Sequence, residues 1–285
     1  MATCYRHPDR ETGLSCSECG RPICTDCVTF APVGLRCPDH ATTSGRARQT
    51  TRAVRTVQRP LARRGIVITG DAIVTRILVV LNVVVYLITV AQGAGLNDPG
   101  GRLFNDWALF GPLVDHGDWW RLITSAFLHG GVLHIAFNML ALWWLGAPVE
   151  KALGAVRYIG LYLVSGLAGA AGALLADPTS VTVGASGAIF GLLGAGLVLE
   201  WRATGSLAGN YLTLILINLA ISFSPGLNIS YGGHIGGLIG GIACTGIIVL
   251  RGQFRANWDA LTLLGFAAVG AASVLVAYWK VRGLA

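Results

Sequence analysis

Seven apolar stretches, at about residues 72–92, 131–149, 154–176, 186–201, 208–224, 231–250 and 260–279, leave this chain few ways to fold. Runs of that length suit helices across a bilayer. About 20 residues at ~1.5 Å each cover a hydrocarbon core of ~30 Å, and a helix satisfies its own backbone N–H and C=O groups where no water can. Hydrophobic residues make up 53% of the chain and charged residues 12%, a balance that excludes an ordinary soluble domain of 285 residues. The expectation is an all-α polytopic membrane protein with seven crossings. The fourth stretch is short: about sixteen residues rise only about 24 Å, so its first residue would start below the outer surface, among other helices.

The polar remainder is unevenly placed. Six of the seven cysteines fall in the first forty residues, and seven arginines (Arg46, Arg48, Arg52, Arg55, Arg59, Arg63 and Arg64) separate that head from the first apolar stretch. Positive charge beside a first span holds it on the cytoplasmic side, which puts the amino terminus in the cytoplasm. The connections with Lys151, Arg157, Arg202, Arg251 and Arg255 then face the same side, and Lys280 and Arg282 are the exception. The basic linker, about 42–70, has Pro60 and little apolar periodicity, so it reads either as a flexible tether or as a segment lying on membrane lipid. Its arginines are not interleaved with aromatics, and no nucleic-acid partner is expected. No organellar targeting segment is recognisable before the head, which points to a bacterial plasma membrane.

The head carries four ligand pairs, Cys4-x2-His7, Cys16-x2-Cys19, Cys24-x2-Cys27 and Cys37-x2-His40. Eight ligands match two tetrahedral zinc ions, and interleaving the pairs would tie together a segment too short for a hydrophobic core. A disulfide framework is the alternative, disfavoured by the lack of a signal peptide. The pattern resembles a B-box-type zinc finger. That resemblance implies Cys4, His7, Cys24 and Cys27 at one ion and Cys16, Cys19, Cys37 and His40 at the other. With all four positions protein-filled, both ions would be structural.

Within the apolar body, Ser186 opens the fourth stretch and His234 stands near the start of the sixth. Alternating crossings give the second, fourth and sixth spans one direction, so both residues lie near the outer face, level with His134 and Asn138. The latter two are four residues apart and share a helix face. A serine hydroxyl needs a base to take its proton as it attacks, and His234 is the candidate. The oxyanion that forms needs fixed donors: His134, the Asn138 amide and the N–H of Ser186 at a helix start. No carboxylate lies centrally in any span, which favours a Ser/His dyad over a triad. Gly187, Gly191 and Gly194 in one span, with Gly237 and Gly241 in the other, expose backbone for close helix packing.

These residues resemble the rhomboid intramembrane serine proteases over about 70–252. The chain carries Gly184-Ala185-Ser186-Gly187, His234 with Gly237 and Gly241, His129-x4-His134-x3-Asn138, and Trp120-Arg121. The resemblance implies a six-helix core, Ser186 as nucleophile, His234 as general base, and an oxyanion hole of His134, Asn138 and Ser186 itself. It further implies that an aromatic one turn after the serine packs on the catalytic histidine; Phe190 stands there, where tyrosine is common. The implied substrates are transmembrane proteins, with no metal or other cofactor for catalysis. Trp120 and Arg121 would hold a loop partly embedded in the outer leaflet, or form an ordinary aromatic belt, and His129 is taken as structural. The division expected is a two-zinc head at 1–41, a basic linker at 42–70, a catalytic core at 71–252 and an extra helix at 253–285, read as a simple anchor. A cytoplasmic protein partner is the expected role of the head. Metal-dependent proteolysis would want His-Glu-x2-His and the aspartyl type two intramembrane aspartates; neither occurs. The rival reading is a catalytically silent rhomboid-like adaptor, which requires loss of a dyad residue.

Overall fold

The computed structural model describes residues 2–30, 34–41, 71–93, 95–224, 226, 228–250 and 260–284. The chain divides into two compact units, Met1–Gly65 and Ile66–Ala285. The basic linker and the connection carrying Arg251 and Arg255 lie outside the described residues.

In the first unit the head is built of strands. Strands β1 (Ala2–Cys4) and β2 (His7–Thr12) pair antiparallel with an irregularity between Thr3 and Cys4, and β3 (Thr29–Phe30) pairs antiparallel with β4 (Leu35–Arg36). Its interior is Ile23, fully buried, surrounded by Cys4, Cys16, Cys24, Cys27 and Cys37. Tyr5, Leu14, Val28 and Leu35 pack against it partly buried, so the apolar core of this unit is small and built around its cysteines.

The second unit is helical. Helix α1 (Ile73–Gln92) leads to a long loop with three short helices, α2 (Gly101–Trp107), α3 (Gly111–Asp115) and α4 (Arg121–Thr124). Then come α5 (Val132–Leu153), α6 (Ala155–Ala176), α7 (Ser186–Thr204), α8 (Asn210–Ser222), α9 (Tyr231–Leu250) and α10 (Ala260–Val281). Among the described residues, α1, α5, α6, α9 and α10 are long and apolar enough to cross a membrane. With the family established below, this is a multi-pass membrane protein.

The other two expected spans differ from their sequence outlines. Helix α7 has 19 residues, because it continues through Glu200 and Arg202 to a left-handed cap at Gly205. Helix α8 has 13 residues, too few to reach across ~30 Å alone at ~1.5 Å each.

Glycines determine how the long helices meet. Only Gly154 separates α5 from α6, at φ 82°, a value that costs other residues strain. A methyl group on Gly169 of α6 would stand 3.0 Å from the Cα of Gly187 on α7 and 3.1 Å from the Gly233 carbonyl oxygen on α9, so three backbones touch. Along α7 and α9 the contacts rise together: Gly187 meets Gly233, and Gly194 meets Leu238 and Ile242. Those two helices therefore run parallel and start at the same end. A methyl on Gly237 or Gly241 would fall inside the carbonyl of Gly187 or Gly191.

Carboxylates tie helix ends. Glu150 on α5, buried, accepts from the N–H groups of Val74 and Thr75 (2.9 and 2.8 Å) and from the Thr75 hydroxyl (2.7 Å), capping α1. Glu200 on α7 accepts from the N–H groups of Asn210 and Tyr211 at 3.1 and 3.2 Å, capping α8. The extra helix α10 is more than the simple anchor expected. It packs on α6 and α3, sets the Tyr278 ring tilted against Trp119 with centroids 5.6 Å apart, and ends with the Gly283 and Leu284 N–H groups donating to Asp115.

Candidate active site

Ser186 is the first residue of α7, held by the chain just before it. Thr182 exchanges backbone hydrogen bonds with Leu109, and the Gly184 N–H donates to the Ser125 carbonyl at 2.9 Å. Gly184 itself sits at φ 128°, turning the chain sharply into the helix. Ile189 donates to Ala185, so the N–H groups ahead of it in the first turn, that of Ser186 among them, have no intrahelical acceptor. The serine is partly exposed.

His234 lies in the first turn of α9 and is buried at 8% exposure. Its ring stacks on Phe190, one turn beyond Ser186, with centroids 4.1 Å apart and planes 16° from parallel. The parallel contact of α7 and α9 at Gly187 and Gly233 carries the two side chains to the same end of the bundle. On the other side of the ring, Nδ1 is 2.6 Å from the hydroxyl of Ser222.

His134, in the first turn of α5, completes the group. Its Nδ1 accepts from the Gly130 N–H at 3.3 Å, so Nε2 carries the proton. That Nε2 lies against Gly184, beside the serine: a methyl on Gly184 would lie 2.7 Å from it and 3.7 Å from Ser186 Oγ. Asn138 is buried one turn on, where its amide donates to the His134 carbonyl at 2.9 Å and keeps a second N–H. His129 is fully buried and meets His134 edge-on at 5.0 Å, a packing position that agrees with a structural reading.

The loop between α1 and α5 is stapled by the Trp-Arg pair. Arg121, at 4% exposure, donates to Asp118 (2.9 Å) and to the carbonyls of Asn105 (2.6 Å) and Ala108 (2.8 Å), while the Trp120 indole donates to the Asp106 carbonyl. A belt tryptophan would need no such bonds, so these two residues hold the loop.

The sequence profile of the Rhomboid domain matches residues 116–251, a span that includes Trp120, Arg121, His129, His134, Asn138, Ser186, Ser222 and His234. The putative rhomboid protease YdcA of Bacillus subtilis is 34% identical over 146 residues, covering 50% of this chain and 73% of that protein. The chain belongs to the rhomboid family. Rhomboid protease GluP of Bacillus subtilis is 35% identical over 210 residues, 70% of this chain and 40% of its own length. RHOMBOID-like protein 5 of Arabidopsis thaliana is 40% identical over 150 residues, 50% of this chain and 48% of its own. This rhomboid thus spans less than half the length of each of those two relatives.

The head of this rhomboid gathers its ligands as two interleaved sets, Cys4, His7, Cys24 and Cys27, and Cys16, Cys19, Cys37 and His40, with the ligand atoms of each within 4.8 Å of one another. The sulfurs of Cys24 and Cys27 are each 3.3 Å from His7 Nδ1, Cys37 is 3.2 Å from His40 Nδ1, and Cys19 and Cys37 are 3.8 Å apart. Tetrahedral zinc, with Zn–S of about 2.3 Å and Zn–N of about 2.0 Å, separates its ligands by roughly 3.5–3.8 Å, so the residues fit a metal. The cysteines are free, which sets the disulfide alternative aside. Burial alone would raise the Cys4 thiol, but the N–H groups of Arg6 and Cys24 and the His7 ring outweigh it and bring it down to about 6. At Cys16 burial is likewise outweighed, by the N–H groups of Cys37, Cys19 and Glu18, again to about 6. Thiolates held by backbone donors are ready metal ligands.

Sequence reasoning missed Ser222, Glu150 and Glu200. Each acts on a residue brought near only by folding, and none stands in a recognisable motif.

Proposed function

We propose that this rhomboid is an intramembrane serine endopeptidase that hydrolyses a peptide bond in or near the transmembrane segment of a membrane-protein substrate, using Ser186 and His234. The supporting observation is the stack of His234 on Phe190, one turn from a partly exposed Ser186, across the glycine contact of α7 and α9. In this reading Ser186 Oγ attacks the carbonyl carbon while its proton passes to His234 Nε2. The oxyanion forms among His134 Nε2–H, the second Asn138 amide N–H and the Ser186 N–H. Collapse expels the amine with the proton from His234. Water then attacks the ester, its proton passing to His234, and collapse breaks the acyl–Oγ bond as His234 returns that proton to Ser186 Oγ, freeing the serine and the new carboxyl end.

An intact substrate helix hides its carbonyls in hydrogen bonds, so the favoured substrates carry helix-weakening residues near the cleaved bond. The catalytic core is assigned to 71–252, with 253–285 added to it. In this reading the arginines of the 42–70 linker hold the amino terminus on the cytoplasmic side, and the site opens on the opposite face of the membrane. Two structural zinc ions in the head, held by the two ligand sets, would cross-link it as a module for a cytoplasmic protein partner.

The test is cleavage of a single-span substrate in proteoliposomes, with a fluorophosphonate label read in parallel. Wild type should cleave and label, and Ser186→Ala and His234→Ala should do neither. Cleavage that persists in Ser186→Ala overturns the dyad; an unlabelled and inactive wild type points to the silent adaptor.

A further inference from the structure

The ring of His234 has a partner that no motif of the chain announces. Ser222 is the last residue of α8, buried at 5% exposure, with Oγ 2.6 Å from His234 Nδ1. The same hydroxyl donates to the Asn218 carbonyl one turn back, at 2.7 Å. A hydroxyl has one hydrogen. With that hydrogen given to Asn218, Ser222 meets His234 as an acceptor, so Nδ1 carries the ring proton and donates. The lone pair is then left on Nε2, the nitrogen a base needs free. Phe190 sets the plane of the ring by stacking, and Ser222 sets which way round the ring stands and which tautomer it holds.

We propose that Ser222 is a positioning residue for the reaction proposed above, doing with a neutral hydroxyl what a carboxylate does in a Ser-His-Asp triad. The inference rests on that reading for its catalytic consequence, though not for the hydrogen bond itself. A hydroxyl suits this place better than a carboxylate. It fixes the tautomer at a buried site without a charge that would need solvation or a counter-ion. The device also ties the base to α8, which among its residues buries only Ile215 and Ser222. The orientation of His234 therefore depends on that short helix being seated.

Threonine and valine separate a hydroxyl from a shape. Ser222→Thr keeps the acceptor, and Ser222→Val keeps the branched form of threonine while removing it. In proteoliposomes Ser222→Val should lower kcat and the rate of fluorophosphonate labelling of Ser186 by about 100-fold, the scale of a misplaced reacting group, with KM unchanged. Ser222→Thr should match wild type in both. Equal losses in Thr and Val, or full activity in Val, would overturn the proposal. The tautomer is read independently of activity by 15N NMR of the histidine rings, with His234→Gln for assignment. Wild type and Ser222→Thr should show a protonated Nδ1, and Ser222→Val should lose that state; an unchanged spectrum overturns the proposal. A tautomer that shifts in Ser222→Val while even wild type neither labels nor cleaves upholds the hydrogen bond and sinks the protease reading instead.

Discussion

The head and the helical bundle each hold a few polar atoms at fixed separations, by opposite means. The head has two sets of four Cys/His side chains placed as a metal would need them, around a core centred on one buried isoleucine. In the bundle, glycine backbones touch across three helices, and the chemistry sits where two of those helices begin. Coordination specifies geometry without a core, whereas backbone contact specifies it only if every side chain at the seam is missing. The head should therefore fail when a ligand is taken away, and the bundle when an atom is added.

Removal of metal should have the largest effect. A strong chelator, or Cys24→Ser, should abolish the fold of the head, since metal binding in comparable small domains supplies about 10–16 kcal/mol of apparent free energy. Circular dichroism and zinc release would record it, and fluorophosphonate labelling of Ser186 should survive. If labelling is lost with the metal, the contrast between the two regions breaks.

Next is an added side chain. Gly237→Val drives a methyl into the Gly187 carbonyl, so the seam must open; about 3 kcal/mol or more of destabilisation and loss of Ser186 labelling are expected. Gly246→Ala, on the same helix but facing open space, is the control and should be neutral. Equal effects from the two would mean that helix propensity rather than the seam governs.

Two smaller effects sharpen the role of helix ends. Glu150→Gln should cost about 1.5–3 kcal/mol by weakening the charged cap of α1, read as a fall in Tm. Glu200→Gln, at a more exposed cap, should cost only about 0.5–1 kcal/mol. A reversed order would show that α8 matters more to stability than its burial implies.

Much of this was legible beforehand because it is local or periodic. The outlines of α1, α5, α6, α9 and α10 follow the apolar runs to within a few residues, since lipid forces the backbone into helix wherever the run is long enough. The four ligand pairs follow from spacing and count, and their interleaving from the resemblance to a B-box-type finger. Helix α8 was misjudged in length, because apolar residues on either side of it continue beyond the hydrogen-bonded turns.

The amino-acid sequence by itself determined the membrane class, the four Cys/His pairs, and the placing of Ser186, His234, His134 and Asn138 near helix starts of one direction. These are properties of neighbouring residues, and the chain cannot be written without displaying them. Only the tertiary structure decided that Glu150 and Glu200 cap helices other than their own, that α10 braces the loop between α1 and α5, and that Ser222 reaches His234. A hydrogen bond between helix ends depends on how helices cross and turn about their axes, and a single serine at the end of an apolar run has no period or spacing by which to announce its partner.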